Sequence, residues 1–181
     1  APLEDCLAAY KGLLAAGHAP ERILIAGDSG GSALALSLAI MLREEGLPLP
    51  AGLILISPFV DLSLRNHSVR DNAFWDPMIT AKALRRGAKG YRGRIPADDP
   101  RVSPIFADLE GLPPLLIQVG EDEILQDDAL LLAEKAKKAG VWVDCRVYAG
   151  MWHNFQMFSD LVATADEALD EMGGFAQALV P

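Results

Sequence analysis

The chain has 181 residues, of which 51% are hydrophobic and 23% charged, with a formal net charge of −9. That length and balance suit a soluble globular domain with a sizeable core, and exclude a disordered or low-complexity chain. The acidic excess argues against nucleic acid or an anionic membrane as partner, and no apolar run nears the ~20 residues that span a bilayer.

In chain order, apolar residues at Leu3, Cys6, Leu7, Tyr10, Leu13 and Leu14 recur at helical spacing, and Gly17 and Pro20 end that first helix. Ile23 to Ala26 is a short apolar run suited to a parallel strand buried on both faces. Gly27 to Gly31 breaks it, and a helix is expected over 32–45. Leu53 to Ile56 reads as a second buried strand, stopped at Ser57-Pro58.

Phe59 to about Asp108 follows, too long for a simple crossover loop. It holds Phe59, Phe74, Trp75, Met78 and Tyr91 among charges, with a helical stretch near 80–91. We read it as a lid segment inserted over the sheet, the simpler alternative being one long crossover helix with ragged ends. Leu115 to Val119 is a third buried strand. Asp127 is a suitable N-cap for a helix over 128–139, with Gly140 past its end. Val141 to Tyr148 alternates as a half-buried strand at or near a sheet edge. A last helix runs over 161–179, weakened by Gly173-Gly174. Strands separated by helices imply βαβ crossovers and a mostly parallel sheet.

Gly27-Asp28-Ser29-Gly30-Gly31 fits G-x-S-x-G, the turn that presents a nucleophilic serine between a strand and a helix. Small flanking residues are needed because the serine occupies a strained turn with backbone close by. A phosphate loop is the rival, but neither G-K-[ST] nor G-x-G-x-x-G spacing is present. Of the three histidines, His18 precedes the first strand and His67 lies in the excursion, where surface roles suffice. His153, in the loop between the last strand and last helix, can reach over the serine. The acid of a Ser…Asp…His order belongs after an intermediate strand, where Glu121, Asp122, Glu123, Asp127 and Asp128 crowd. Asp127 and Asp128 have a role at the helix start, and Glu121 and Glu123 can be solvated. Asp122 is the preferred acid, to hold the imidazole tautomer.

Together these pieces resemble the hormone-sensitive-lipase-like family of α/β-hydrolase esterases. The likeness rests on five pieces: the Gly-Asp-Ser-Gly-Gly elbow; Ile56 to Leu62; Asp99-Pro100-Arg101-Val102-Ser103-Pro104; Leu112 to Gly120 followed by Asp122-Glu123-Ile124-Leu125; and Gly150-Met151-Trp152-His153. It implies an α/β-hydrolase fold over residues 1–181 and cofactor-free hydrolysis of short-acyl carboxylic esters. It also implies Ser29 as nucleophile, His153 as base and Asp122 as acid, with Gly30 N–H as one oxyanion donor and Asp28 supporting the elbow. A cap over the acyl pocket is implied too, and we assign Phe59, Phe74, Trp75 and Met78 to substrate binding there.

One departure from the family is the His-Gly-Gly-Gly loop, which supplies further oxyanion donors upstream of the elbow and has no counterpart here. The family's early strands lack counterparts as well, so the expectation is a C-terminal portion of such an enzyme, weak in catalysis alone. The alternatives are a non-catalytic fragment or binding module that retains the triad, and a prolyl-oligopeptidase-like serine peptidase. Cys6 and Cys145 form no metal-like or redox-like pair, which suits a reduced, cytoplasmic setting. Expected partners are a small-molecule ester and a second copy through the 141–148 strand and last helix. No nucleic acid, metal or stable membrane association is expected.

Overall fold

A computed structural model describes residues 2–180; Ala1 and Pro181, the ends of the expected domain, lie outside the described residues. Four parallel strands lie in the order β1-β2-β3-β4: β1 (Leu24–Asp28), β2 (Gly52–Ile56), β3 (Leu115–Gly120) and β4 (Val143–Tyr148). The register pairs Asp28 with Ile56 and Gly120 with Tyr148, so the carboxyl ends of the strands gather on one side.

Alternation along β2 and β3 sends Leu53, Leu55, Leu115, Ile117 and Val119 to one face. There they meet Leu36 and Ala39 of α2 (Gly30–Glu44) and Leu132 and Ala136 of α5 (Gln126–Lys138) in the main core. On the opposite face α6 (Ala163–Leu179) lies across β2 and β3, where Gln118 Nε2 donates to Ala168 O at 2.8 Å. A Cβ on Gly52 would come within 2.6 Å of Leu179, so glycine is what lets the helix lie this close. The first helix, α1 (Pro2–Ala15), packs on α2 through Tyr10, whose hydroxyl donates to Pro48 O at 3.0 Å.

Several expectations need correction. β2 and β3 are buried along nearly their whole length, but β1 is only half-buried, with Ala26 and Asp28 exposed. It has one strand neighbour among the described residues, so its apolar composition does not place it between two covered faces. Helix α5 begins before Asp127, with Leu125 at its N-cap. Asp127 instead lies in the first turn, and its carboxylate accepts the Ser68 N–H at 2.9 Å. The last helix, α6, begins at Ala163 rather than at 161 and carries Gly173 and Gly174 within it to Leu179.

The excursion between β2 and β3 contains α3 (Ser68–Asp71), α4 (Ala81–Arg92) and a 3₁₀ turn at Pro104–Phe106. Thr80 caps α4, its hydroxyl accepting the Ala83 N–H at 3.2 Å. Phe59, Leu62, Leu84, Ala88 and Val102 form a second core with Ile124 and Leu125. Asp128, fully buried, ties this layer to α5: its carboxylate accepts the N–H groups of Val60 and Asp61, each at 2.9 Å, and the Asn66 amide at 2.7 Å. Among the described residues no helix is long and apolar enough to cross a membrane.

Candidate active site

Ser29 stands between β1 and α2 with φ 51° and ψ −118°, a left-handed conformation that costs a non-glycine residue energy. The turn is braced on all sides. Ser29 N–H donates to Ile56 O at 2.8 Å, and Ser29 O accepts from Ser32 N and Phe59 N, both at 3.1 Å. A Cβ on Gly27 would sit 2.3 Å from Gly31 O, so the motif's first glycine is a packing requirement. Gly30 is the first residue of α2, and its N–H has no intrahelical acceptor.

His153 is buried, and its Nδ1 lies 2.8 Å from Glu123 Oε2. Glu123 is completely buried and also accepts the Gly120 N–H on Oε1 at 2.7 Å. The buried Ser57 side chain lies beside this carboxylate and favours its charged form. Burial pushes the Glu123 carboxyl above the usual range, while its bonds to His153 and Gly120, with Ser57 beside it, act in the opposite direction.

Asp122, singled out in the sequence as the partner acid, does not hold this place. Its N–H is bonded to Met151 O at 2.9 Å, which fixes the turn so that the next side chain, not its own, points inward. The one extra methylene of glutamate gives Glu123 the reach to the imidazole. Glu121, the first acid of the same turn, accepts Gly150 N–H from the histidine loop on its carboxylate at 3.2 Å. Gly120 makes this close approach possible, because a Cβ there would sit 2.3 Å from Met151 O.

The histidine loop is joined to the elbow by the residue after His153. Asn154, left-handed at φ 55°, donates its side-chain Nδ2 to Asp28 Oδ2 at 3.0 Å and its backbone N–H to Ser57 Oγ at 3.1 Å. These bonds set His153 beside the residue that precedes Ser29. Among the described residues no hydrogen bond joins Ser29 Oγ to His153, a contact that forms only when such sites close on substrate in many unliganded enzymes.

A cavity of about 380 Å³ opens at Ser29 and Gly30. Ala33 and Leu34 of α2 form one wall; Phe59 and Leu62 form another. The rest is the inner stripe of α4, with Leu84, Gly87, Ala88 and Tyr91 at helical spacing. Of the four residues assigned from sequence to substrate binding, only Phe59 lines it. Phe74 and Trp75 are 87% and 63% exposed and stack edge-to-face on each other, and Met78 is exposed as well. The reason lies in the polar residues beside them. Asn72 donates to the carbonyls of Glu121 and Glu123, and Asp76 accepts the Ile124 N–H at 3.1 Å, so the segment grips the acid turn with its polar side. His18 and His67 are exposed. Sequence reasoning missed the α4 stripe, although its small residues at 83, 87 and 88 carried the signal of a face meant to leave space.

Residues 1–157 match the α/β hydrolase fold family. An esterase of Acinetobacter venetianus is 46% identical over 171 residues, covering 94% of this chain and 56% of that protein. An acetyl-hydrolase of Streptomyces hygroscopicus is 38% identical over 175 residues, covering 97% and 58%. Among solved structures, an esterase from the bacterial hormone-sensitive lipase family superposes with a TM-score of 0.97 at 40% identity, covering 100% of this chain and 61% of that one. The chain thus spans less than two thirds of the length of these relatives.

Proposed function

The chain belongs to the α/β-hydrolase family, in its hormone-sensitive-lipase-like branch, and from that premise we propose that it carries the catalytic serine, histidine and acid of a carboxylic ester hydrolase. The carrying observation is the buried His153–Glu123 pair, held by Asn154 next to a strained Ser29 that opens on an apolar cavity. The cavity volume lies at the lower end for small-molecule sites, which favours short acyl chains.

In this reading Ser29 Oγ attacks the ester carbonyl while His153 Nε2 takes its proton. Glu123 holds the Nδ1–H tautomer and stabilises the imidazolium. Gly30 N–H, at the positive end of α2, donates to the developing oxyanion. His153 then gives the proton to the leaving alcohol, and water repeats the sequence in reverse to release the acid. These steps use side chains, backbone and water.

The test is acylation of the full-length protein by p-nitrophenyl butyrate. Rapid mixing should give a burst of one nitrophenolate per active chain, and mass spectrometry should find butyryl on Ser29. Ser29→Ala should abolish both. A Ser29→Ala protein that still hydrolyses the ester at the parent rate would refute the reading.

A further inference from the structure

The proposed reading assigns no role to Ser57, which is buried, left-handed at φ 45° and bonded to Asn154 of the histidine loop through its hydroxyl and to Gln118 O of β3 through its N–H at 2.7 Å. Among the described residues five non-glycines have positive φ, and three of them are Ser29, Ser57 and Asn154. Ser57 and Asn154 are hydrogen-bonded to each other, and Asn154 is bonded to the neighbour of Ser29. Strain of this kind persists only where the surroundings enforce it. Here three separate loops, after β1, β2 and β4, are strained at the point where they are tied together.

We propose that Ser57 and Asn154 are positioning residues that form a strap from Asp28 to Glu123, fixing the acid and the histidine loop relative to the nucleophile. The proposal rests on the hydrolase reading above. A hydroxyl has a single proton. The Asn154 N–H donates to Ser57 Oγ at 3.1 Å and so occupies a lone pair, which leaves the Ser57 proton free for the Glu123 carboxylate beside it. Glu123 has two donors in Gly120 N–H and His153 Nδ1–H, and the strap adds Ser57 O–H as the third. A fully buried carboxylate needs such donors to stay ionised through the cycle. At the other end, the Asn154 side chain holds Asp28, so the acid is set by the same chain of bonds that places the elbow.

The sign of the effect on pH dependence follows. With Glu123 ionised and His153 neutral the pair has one negative charge; adding a proton makes it neutral. Donation from Ser57 stabilises the charged form more. Its loss raises the proton affinity of the pair, and the acid limb of the pH profile moves to higher pH. The other ionisable groups about the pair are Asp28 from the elbow, Asp76 from the excursion, and Glu121 and Asp122 from the acid turn; Ser57→Ala changes none of them.

The experiment measures kcat and KM for p-nitrophenyl butyrate against pH in the full-length protein carrying Ser57→Ala, Asn154→Gly or Glu123→Gln. Asn154→Gly keeps the backbone N–H and relieves the left-handed strain, so it removes only the bond to Asp28 and should fold. Ser57→Ala should lower kcat roughly ten- to a hundredfold, the worth of one hydrogen bond to a charged group, and raise the acid limb by about half a unit or more, with KM within about threefold. Asn154→Gly should lower kcat about tenfold without moving the limb.

If Ser57→Ala does not fold, the Asn154→Gly result decides alone. Parent kcat and an unmoved limb in folded variants would overturn the strap. The same would follow from a kcat loss in Ser57→Ala without a shift of the limb. Glu123→Gln separates the two readings: if it retains full activity the hydrolase triad itself fails, whereas its inactivity beside a fully active Ser57→Ala defeats only the strap.

Discussion

Two glycines show how much of the site is a matter of single-atom clearances. A methyl at Gly27 would meet Gly31 O, and one at Gly120 would meet Met151 O, each at 2.3 Å and each against backbone that cannot swing aside. Gly27→Ala and Gly120→Ala should therefore each cost at least about 3 kcal/mol, the upper end for overpacked sites, measured as the shift in the urea unfolding midpoint. An unchanged midpoint would show that the turns can move. The elbow glycine was legible in the sequence because the G-x-S-x-G spacing states the requirement. Glu123 was not. Three acidic residues in a row, Glu121, Asp122 and Glu123, differ by the direction each side chain takes from the turn. That direction is set by bonds from β4 and the histidine loop: Glu121 N–H to Tyr148 O and Asp122 N–H to Met151 O. Nothing local to the acid turn encodes those partners.

At the scale of elements, strands and helices followed from periodicity. What periodicity could not supply was which side of the excursion faces the cavity. Aromatic residues suggested Phe74 and Trp75, but the wall is the small-residue stripe of α4. A Cβ at Gly87 meets nothing within 4 Å, so Gly87→Val should project into the cavity without displacing structure. It should reduce kcat/KM for hexanoate relative to acetate esters about tenfold, whereas Trp75→Ala should leave that ratio unaltered; the reverse pattern would move the acyl site.

The link from the excursion to α5 gives a pH signature of its own. Burial pushes the Asp128 carboxyl up to about 7, against the pull of the Asp61 N–H, the Asn66 amide and the Val60 N–H. Its proton is held more tightly in the folded chain than in the unfolded one. The resulting stabilisation is complete below about pH 4 and is lost as pH rises through 7. Glu123 is raised in the same direction. The urea midpoint should fall between pH 5 and pH 8, and fall less steeply in Asp128→Asn. Equal slopes would remove Asp128 as the cause.

Over the whole molecule, the parallel order of four strands puts the loops after β1, β3 and β4 at one end of the sheet, and with them Ser29, Glu123 and His153. That convergence could be inferred from chain order before any distance was known. Association stays an expectation, resting on the exposed edge of β4. Among the described residues β4 pairs only with β3, and Val147 on it is exposed while Trp142 stacks on Phe175 of α6 at 6.0 Å. We propose a two-fold dimer of the full-length protein across β4 and α6, which Val147→Lys should dissociate, since an edge lysine opposes pairing. Sedimentation of the full-length protein checks this, and a monomer mass at every concentration would contradict it.

In the proposed triad Glu123, and not its neighbour Asp122, serves His153. The direct test compares kcat/KM of Glu123→Gln and Asp122→Asn for p-nitrophenyl butyrate in the full-length protein, with folding confirmed by circular dichroism. An amide in place of the partner carboxylate leaves the wrong tautomer and an unsupported imidazolium, a loss on the order of 10³–10⁴. Glu123→Gln should fall by that amount and Asp122→Asn should stay within about threefold of the parent. A collapse of activity in Asp122→Asn beside an active Glu123→Gln would give the role to Asp122 instead.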